Sequence, residues 1–182
     1  KEKIKRFYVD INIIEGKLTD IEIVGNKHLD ENYLKQRLKA GAAVPLNVND
    51  LQEQIQILLE SPSIATINSA LRPGDNRGEA NLTALVKEGP RFQLKPVIDN
   101  RISPTLGDTR TLIPMQFNNL TGKADTFNLS IGHADGLDDA NINWNIPTIE
   151  ETSLTVLASY SDSKVVKGPF KDLNVVNKAQ TF

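Results

Sequence analysis

Few residues in this chain have types and spacing that could do chemistry. The two histidines, His28 and His133, stand far apart, and neither has two further ligands at the spacing a zinc site needs. They read as turn or surface histidines. "HADGLDD" gathers Asp135, Asp138 and Asp139, but without the D-x-D-x-D-G order of a calcium loop it reads as a hairpin loop. "PGDNRG", Pro73 to Gly78, contains glycines but lacks the Gly-Lys-Ser/Thr ending and following helix of a phosphate loop, so it reads as a turn. Ser159 and Ser161 have no nearby His and acid pair to activate a nucleophile. Asn81, Asn119 and Asn128 open glycosylation sequons, within or beside segments of strand character where a glycan has no place. With no cysteine in the chain, disulfides, thiolate metal sites and cysteine nucleophiles are excluded. These residues predict no catalytic site, no metal site and no cofactor: the chain reads as something other than an enzyme.

Charge points no more strongly. Twenty-one basic residues against 23 acidic ones give a net charge of −2 over 182 residues, so nothing selects nucleic acid or an anionic surface as partner. No apolar run is long enough for a membrane-spanning helix. "KEKIKRFYVD" has no signal-peptide core and reads as the start of a mature fragment.

The elements are more informative, and they change character near Pro90. Before it, "KLTDIEIVGN" puts Ile21 and Ile23 on one face of a short strand ending at Gly25-Asn26. A helix should follow over "ENYLKQRLKAG", capped by Asp30, with Leu34 and Leu38 stacked and Gly41 closing it in a left-handed conformation. A second helix is predicted over "NVNDLQEQIQILLESP". Asn47 or Asn49 caps it, Leu51, Ile55, Leu58 and Leu59 form its stripe, and Pro62 prevents its continuation. A hairpin of Thr66 to Arg72 and Glu79 to Lys87 then turns at "PGDNRG", with Ile67 and Leu71 sharing one face and Leu82, Ala84 and Val86 another. Strand, helix, helix, strand, strand predicts an α+β unit with two helices on one face of a three-stranded sheet. Ahead of it, Phe7 to Ile14 reads as one further strand.

After Pro90 helical periodicity disappears. "FQLKPVIDN" alternates as one strand, "DTRTLIPMQFNN" puts Ile113, Met115 and Phe117 on one face, and "DTFNLSIGH" sets Phe127, Leu129 and Ile131 against Thr126, Asn128 and Ser130. "DANINWNIP" alternates Asn141, Asn143 and Asn145 with Ile142, Trp144 and Ile146, and "SLTVLASYSDS" continues the pattern. "NNLTGKAD", "ADGLDD" and "TIEET" read as linkers, and the strands should form an antiparallel meander. One such strand fits a soluble half-buried sheet. Repeated, the pattern fits a transmembrane barrel, whose strands of about 9–11 residues turn apolar side chains to lipid and polar ones to a wet lumen. Aromatic residues, 5% of the chain, are thin provision for the interfacial girdles of such a barrel. The terminal Phe182 lacks a preceding alternating strand in "NKAQTF" and reads as a truncation point.

"IIEGKLTDIEIVGN", "VPLNVNDLQEQIQILLESPSI", "SALRPGDNRGEANLTALVKEGP", "VIDNRISPTLGDTRTLIPMQFNNLTGKADTFNLSIG", "NINWNIP" and "LASYSDS" stand in an order and spacing that resemble the two-partner secretion transporters, the TpsB family of ShlB, FhaC and HecB. The resemblance covers about Val9 to Ser163. Its motifs are individually short, and the ordered set is what is specific. It implies that residues 1–14 end a preceding POTRA domain, that 15–90 form the membrane-proximal POTRA, and that 91–182 form the first strands of an outer-membrane β-barrel. It implies an outer-membrane location with the POTRA in the periplasm. The partners implied are a secreted exoprotein, recognised by its N-terminal secretion domain, and outer-membrane lipid, with no small-molecule substrate. In the implied POTRA fold Thr66 to Arg72 is an edge strand. Thr66, Ile67, Asn68, Ser69, Ala70 and Leu71, with Gln52 and Gln56 of the second helix, are then the candidate partner-binding residues. A proline at Asn68 or Ser69, but not at both, should remove an outward-pointing donor. Thr126, Asn128, Ser130, Asn141, Asn143 and Asn145 are expected to line the lumen. A barrel-assembly factor of the same superfamily and a soluble POTRA-type adaptor are the alternatives.

Overall fold

The computed structural model describes residues 12–148 and 152–182. Most of the strand expected over Phe7 to Ile14 lies outside them; Asn12 to Ile14 are not part of a strand.

The first unit is built as the sequence predicts. Strand β1, Lys17–Val24, leads to helix α1, Glu31–Ala40, and helix α2, Val48–Leu59, and the hairpin of β2, Ile64–Pro73, and β3, Glu79–Glu88, completes it. β3 lies in the middle, parallel to β1 and antiparallel to β2. One sheet face carries Ile21, Ile23, Leu82, Ala84 and Val86, and onto it pack Leu34 and Leu38 of α1 and Leu51, Ile55 and Leu58 of α2. Each of these leucine, isoleucine and valine side chains taken from water contributes about 1.5–3 kcal/mol.

The caps follow local chemistry. The Asp30 carboxylate accepts from the Tyr33 N–H at 2.7 Å, and Asn47 Oδ1 accepts from the Asn49 N–H at 3.0 Å, each satisfying a donor that the first turn leaves free. Gly41 departs from expectation. Its φ of −88° is not left-handed. Glycine is needed there because a Cβ would stand 2.6 Å from the Asp50 carbonyl oxygen and 2.8 Å from Gln54 Cγ. Close approach of the two helices, rather than a turn conformation, selects the residue.

Past Pro90 the chain forms a second sheet. β4 (Phe92–Leu94), β5 (Val97–Asp99), β6 (Arg110–Asn118), β7 (Thr126–Ala134), β8 (Leu137–Pro147), β9 (Ser153–Lys164) and β10 (Val176–Thr181) follow in sequence. The spatial order is β10-β9-β8-β7-β6-β4, with β5 also on β6, an antiparallel meander. The fold is therefore an α+β POTRA-type unit followed by antiparallel barrel-type strands.

Three details differ from the sequence reading. "FQLKPVIDN" is interrupted between Leu94 and Val97, yet its register against β6 is continuous, with Leu94 opposite Met115 and Val97 opposite Leu112. The gap holds Pro96 and, across from Lys95, Pro114, and neither has an amide to give to the ladder. β8 begins at Leu137, not Asn141, so the turn from β7 is only Asp135-Gly136, and Asp138 and Asp139 are strand residues opposite His133 and Gly132. "NKAQT" belongs to a strand after all: β10 pairs with β9, Lys178 opposite Asp162. Its side chains are exposed on both faces, which is why it carries no alternation to read.

Candidate partner-binding edge and polar sheet face

β2 is an edge strand, and β3 and α2 are the only helix or strand that it contacts among the described residues. Which of its amides are free follows from the ladder. The Gly74 N–H donates to the Glu79 carbonyl at 2.8 Å, and pairing is regular from Thr66 to Pro73. Amides alternate in direction along a strand. Those of Thr66, Asn68, Ala70 and Arg72 therefore face β3, and those of Ile67, Ser69 and Leu71 face outward. Pro73, which has none, falls on the outward set, where it costs no ladder bond.

α2 flanks this edge. Its Asp50 and Gln54 side meets α1 at Gly41, so with 100° per residue the opposite side, carrying Val48, Gln52, Gln56 and Leu59, is turned toward β2. Val48 is 49% exposed and Leu71 on β2 is 42% exposed. The outward amides of Ile67, Ser69 and Leu71 have no partner among the described residues, and the exposed Gln52 and Gln56 are on the neighbouring helix.

The meander separates its two faces by chemistry. Thr126 lies opposite Asn145, Asn128 opposite Asn143, and Ser130 opposite Asn141, so all six residues expected to line a lumen share one face. The register adds Gln116 and Gln93 beside Asn128. Toward the far end of this face Arg110 donates twice to the Asp139 carboxylate, at 2.7 and 2.8 Å, across Gly132, where a Cβ would lie 2.3 Å from Asp139 Oδ1. On the other face, Phe92, Phe117, Phe127 and Trp144 stand side by side, with ring centroids 4.9, 6.0 and 6.3 Å apart. These four aromatics form one row at the end of the sheet nearest the α+β unit. Above them follow Leu94, Met115, Leu129 and Ile142, then Ile113, Ile131, Ala140 and Tyr160. A charged and polar row of Thr111, His133, Asp138 and Asp162 limits the apolar band.

The α+β unit and the meander meet at a cleft lined by Tyr33, Arg37 and Ile57 of the helices and by Thr126, Asn145 and Ser153 of the sheet. Glu88, the last residue of β3, closes the unit beside this junction. Its carboxylate accepts from the backbone N–H groups of Lys27, His28 and Leu29 at 2.7, 2.7 and 2.9 Å, and its second oxygen meets His28 Nδ1 at 3.0 Å. Burial acts to raise its pKa, but the Leu29, His28 and Lys27 amides and the His28 ring outweigh it and hold the group down at about 2.

Several of these residues carry no sequence signal. Gln93 and Gln116 follow the same alternation as the asparagines and were open to the same reading. The Arg110 to Asp139 pair depends on register, and Glu88 looks like any strand-end carboxylate. His28 and His133 are exposed, paired with Glu88 and Asp138. No group of side chains among the described residues could hold a metal ion, and no helix among them is long and apolar enough to cross a membrane, which leaves crossing by strands open.

This arrangement, a two-helix POTRA-type unit leading through a short linker into barrel strands, recurs in solved structures. CdiB from Escherichia coli superposes with a TM-score of 0.69 at 21% identity, over 86% of this chain and 30% of that one. CdiB from Acinetobacter baumannii gives 0.60 at 16%, over 91% and 32%. BamA from Haemophilus ducreyi lacking POTRA domains 1-3 gives 0.62 at 13%, over 82% and 28%. At these identities the likeness is one of fold, and the chain spans about a third or less of the length of each. The sequence matches no protein-family profile and no curated protein.

Proposed function

We propose that this chain belongs to an outer-membrane protein translocase of two-partner secretion, in which the POTRA-type unit receives an unfolded exoprotein in the periplasm and the polar sheet face lines its path. The observation that carries the proposal is the joining of two features in one short chain. A strand edge with outward amides at Ile67, Ser69 and Leu71 sits on the α+β unit, and an amide-rich face, whose charged Arg110 and Asp139 pair with each other and which is backed by an apolar face, begins at β4, just past Arg91. The edge suits an unfolded chain because main-chain pairing reads backbone rather than side chain. Gln52 and Gln56 on the α2 flank supply the side-chain contacts. Thr126, Asn128, Ser130, Asn141, Asn143 and Asn145 offer donors and acceptors without fixed charge, so a passing segment meets weak, interchangeable contacts. The set of motifs resembling the TpsB family supports this reading over a soluble adaptor.

The register selects the variant that tests it. Ser69→Pro removes an outward donor and spares the ladder, whereas Asn68→Pro removes an inward one. Binding of the exoprotein's N-terminal secretion domain by Ser69→Pro should weaken about tenfold, the equivalent of one hydrogen bond, with circular dichroism unchanged. A folded Ser69→Pro protein that binds as tightly as the parent rules out edge capture. The fold is also similar to that of a part of BamA, and for a barrel-assembly factor the same edge would prefer the unfolded strand of a barrel protein over the secretion domain.

A further inference from the structure

The turn between β6 and β7, residues 119–125, does more than reverse the chain. It docks on the α+β unit. The Asp30 N–H at the start of α1 donates to the Gly122 carbonyl at 2.8 Å, and Ser61 Oγ, just past α2, donates to the Ala124 carbonyl at 3.2 Å. Ala124, 4% exposed, is packed into the hydrophobic core of that unit. The turn is held in an uncommon shape, with Asn119 and Ala124 both at φ 59°, a left-handed conformation that costs a residue bearing a Cβ unless its surroundings enforce it.

Asn119 Oδ1, which accepts from the Ala124 N–H at 3.2 Å, and the Asp125 carboxylate hold it. This carboxylate is fully buried. Oδ1 accepts from the Thr121 N–H and Oγ1 at 2.8 and 2.7 Å, closing the turn, and Oδ2 accepts from Trp144 Nε1 at 2.9 Å, on the barrel-type strand β8. One side chain therefore joins the segment seated on the helices to the aromatic row of the sheet. The covalent link is short, Gly89 to Arg91, and it is tied on both sides, the Gly89 N–H donating to the Ser63 carbonyl and Asn118 donating to the Pro90 and Arg91 carbonyls at 2.7 and 2.8 Å; the turn adds a second attachment at a distance from it.

We infer that the β6–β7 turn is a clamp that holds the POTRA-type unit in one orientation on the barrel wall, and that Asp125 is the positioning residue that locks it. The clamp keeps the junction cleft at a set width, with Tyr33 and Arg37 on one side and Thr126 and Asn145 on the other. A segment paired to β2 is then held at a constant distance from the amide face.

Limited trypsin digestion of the whole chain in detergent micelles tests this without cargo. Lys123 lies within the turn and Arg91 in the linker, both exposed, so cleavage after either reports release of the clamp. Asp125→Asn has nearly the same shape but one acceptor oxygen, and must turn an N–H toward either Thr121 or Trp144. Trp144→Phe removes the partner donor and leaves the turn residues intact. Each should raise cleavage at Arg91 and Lys123 about tenfold, as expected when one buried polar group loses its partner and the open population grows. Cleavage at Lys39 in α1 should stay at the parent's rate. If Asp125→Asn unfolds the turn outright, Trp144→Phe decides. Unchanged cleavage at both sites in Trp144→Phe, or an equal rise at Lys39, overturns the inference. Either result would leave the transport reading standing.

Discussion

Glu88 shows how much one side chain can organise. It ends β3, and its four hydrogen bonds fix the Lys27–Leu29 loop that aims α1 and presents Asp30 to the meander. Its folded pKa, about 2, lies below the 4.5 of a free glutamate. The stabilisation it supplies is thus complete above about pH 4.5 and is lost as pH falls from there toward 2. Over that window an acid titration of parent stability should drop more steeply than that of Glu88→Gln. Near pH 7 the same substitution should cost about 2 kcal/mol, the range for charge-assisted hydrogen bonds. Parallel acid profiles for the two proteins would mean that the carboxylate charge contributes nothing. A second residue-scale case is Gly132, whose missing Cβ makes room for Asp139 and Arg110 to pair. Gly132→Ala should separate them and lower the stability of the folded sheet in micelles by about 1–3 kcal/mol, measured by denaturant titration. A neutral result would show that strand β7 shifts at little cost.

At the scale of elements, legibility followed burial. Ile21, Ile23, Leu34, Leu38, Leu51, Ile55 and Leu58 have one face inside and one outside, so their period was visible and their elements came out where the sequence put them. The meander was legible for the same reason: Phe127, Leu129 and Ile131 alternate with amides and hydroxyls. What failed to show was set by contacts between elements. Gly41 was read as a cap because glycine usually serves that purpose, and only the approach of α2 reveals the packing reason. The split of "FQLKPVIDN" required knowing that Pro96 and Pro114 would fall into the same gap. β10 has no buried face, so it has no pattern. The polar set of the lumen reading was visible as residue types, but that Asn128 faces Asn143 and Ser130 faces Asn141 is a matter of register, which two-residue turns such as Asp135-Gly136 decide.

At the scale of the whole molecule the two faces of the meander demand different surroundings. Leu94, Leu154 and Val156 are 49%, 57% and 46% exposed on the same face as the aromatic row, apolar side chains standing together where water meets them at a cost. The opposite face satisfies its amides locally, as where Asn145 donates to Ser153 and Thr155 at 3.2 and 3.0 Å, and it keeps further donors open to solvent. In a bilayer or micelle the first face should therefore be covered and the second wet. Single cysteines read this directly. Asn143→Cys and Ser130→Cys should react quickly with a membrane-impermeant maleimide applied to the protein in micelles, while Ile142→Cys and Ile131→Cys, adjacent on the same strands, should react about tenfold more slowly because detergent shields them. Equal rates at neighbouring positions would point to a sheet with both faces in water, as in a soluble adaptor. Fast labelling at the isoleucines with slow labelling at Asn143 and Ser130 would mean that the polar face is the one covered, and the path proposed for the exoprotein would have to run elsewhere.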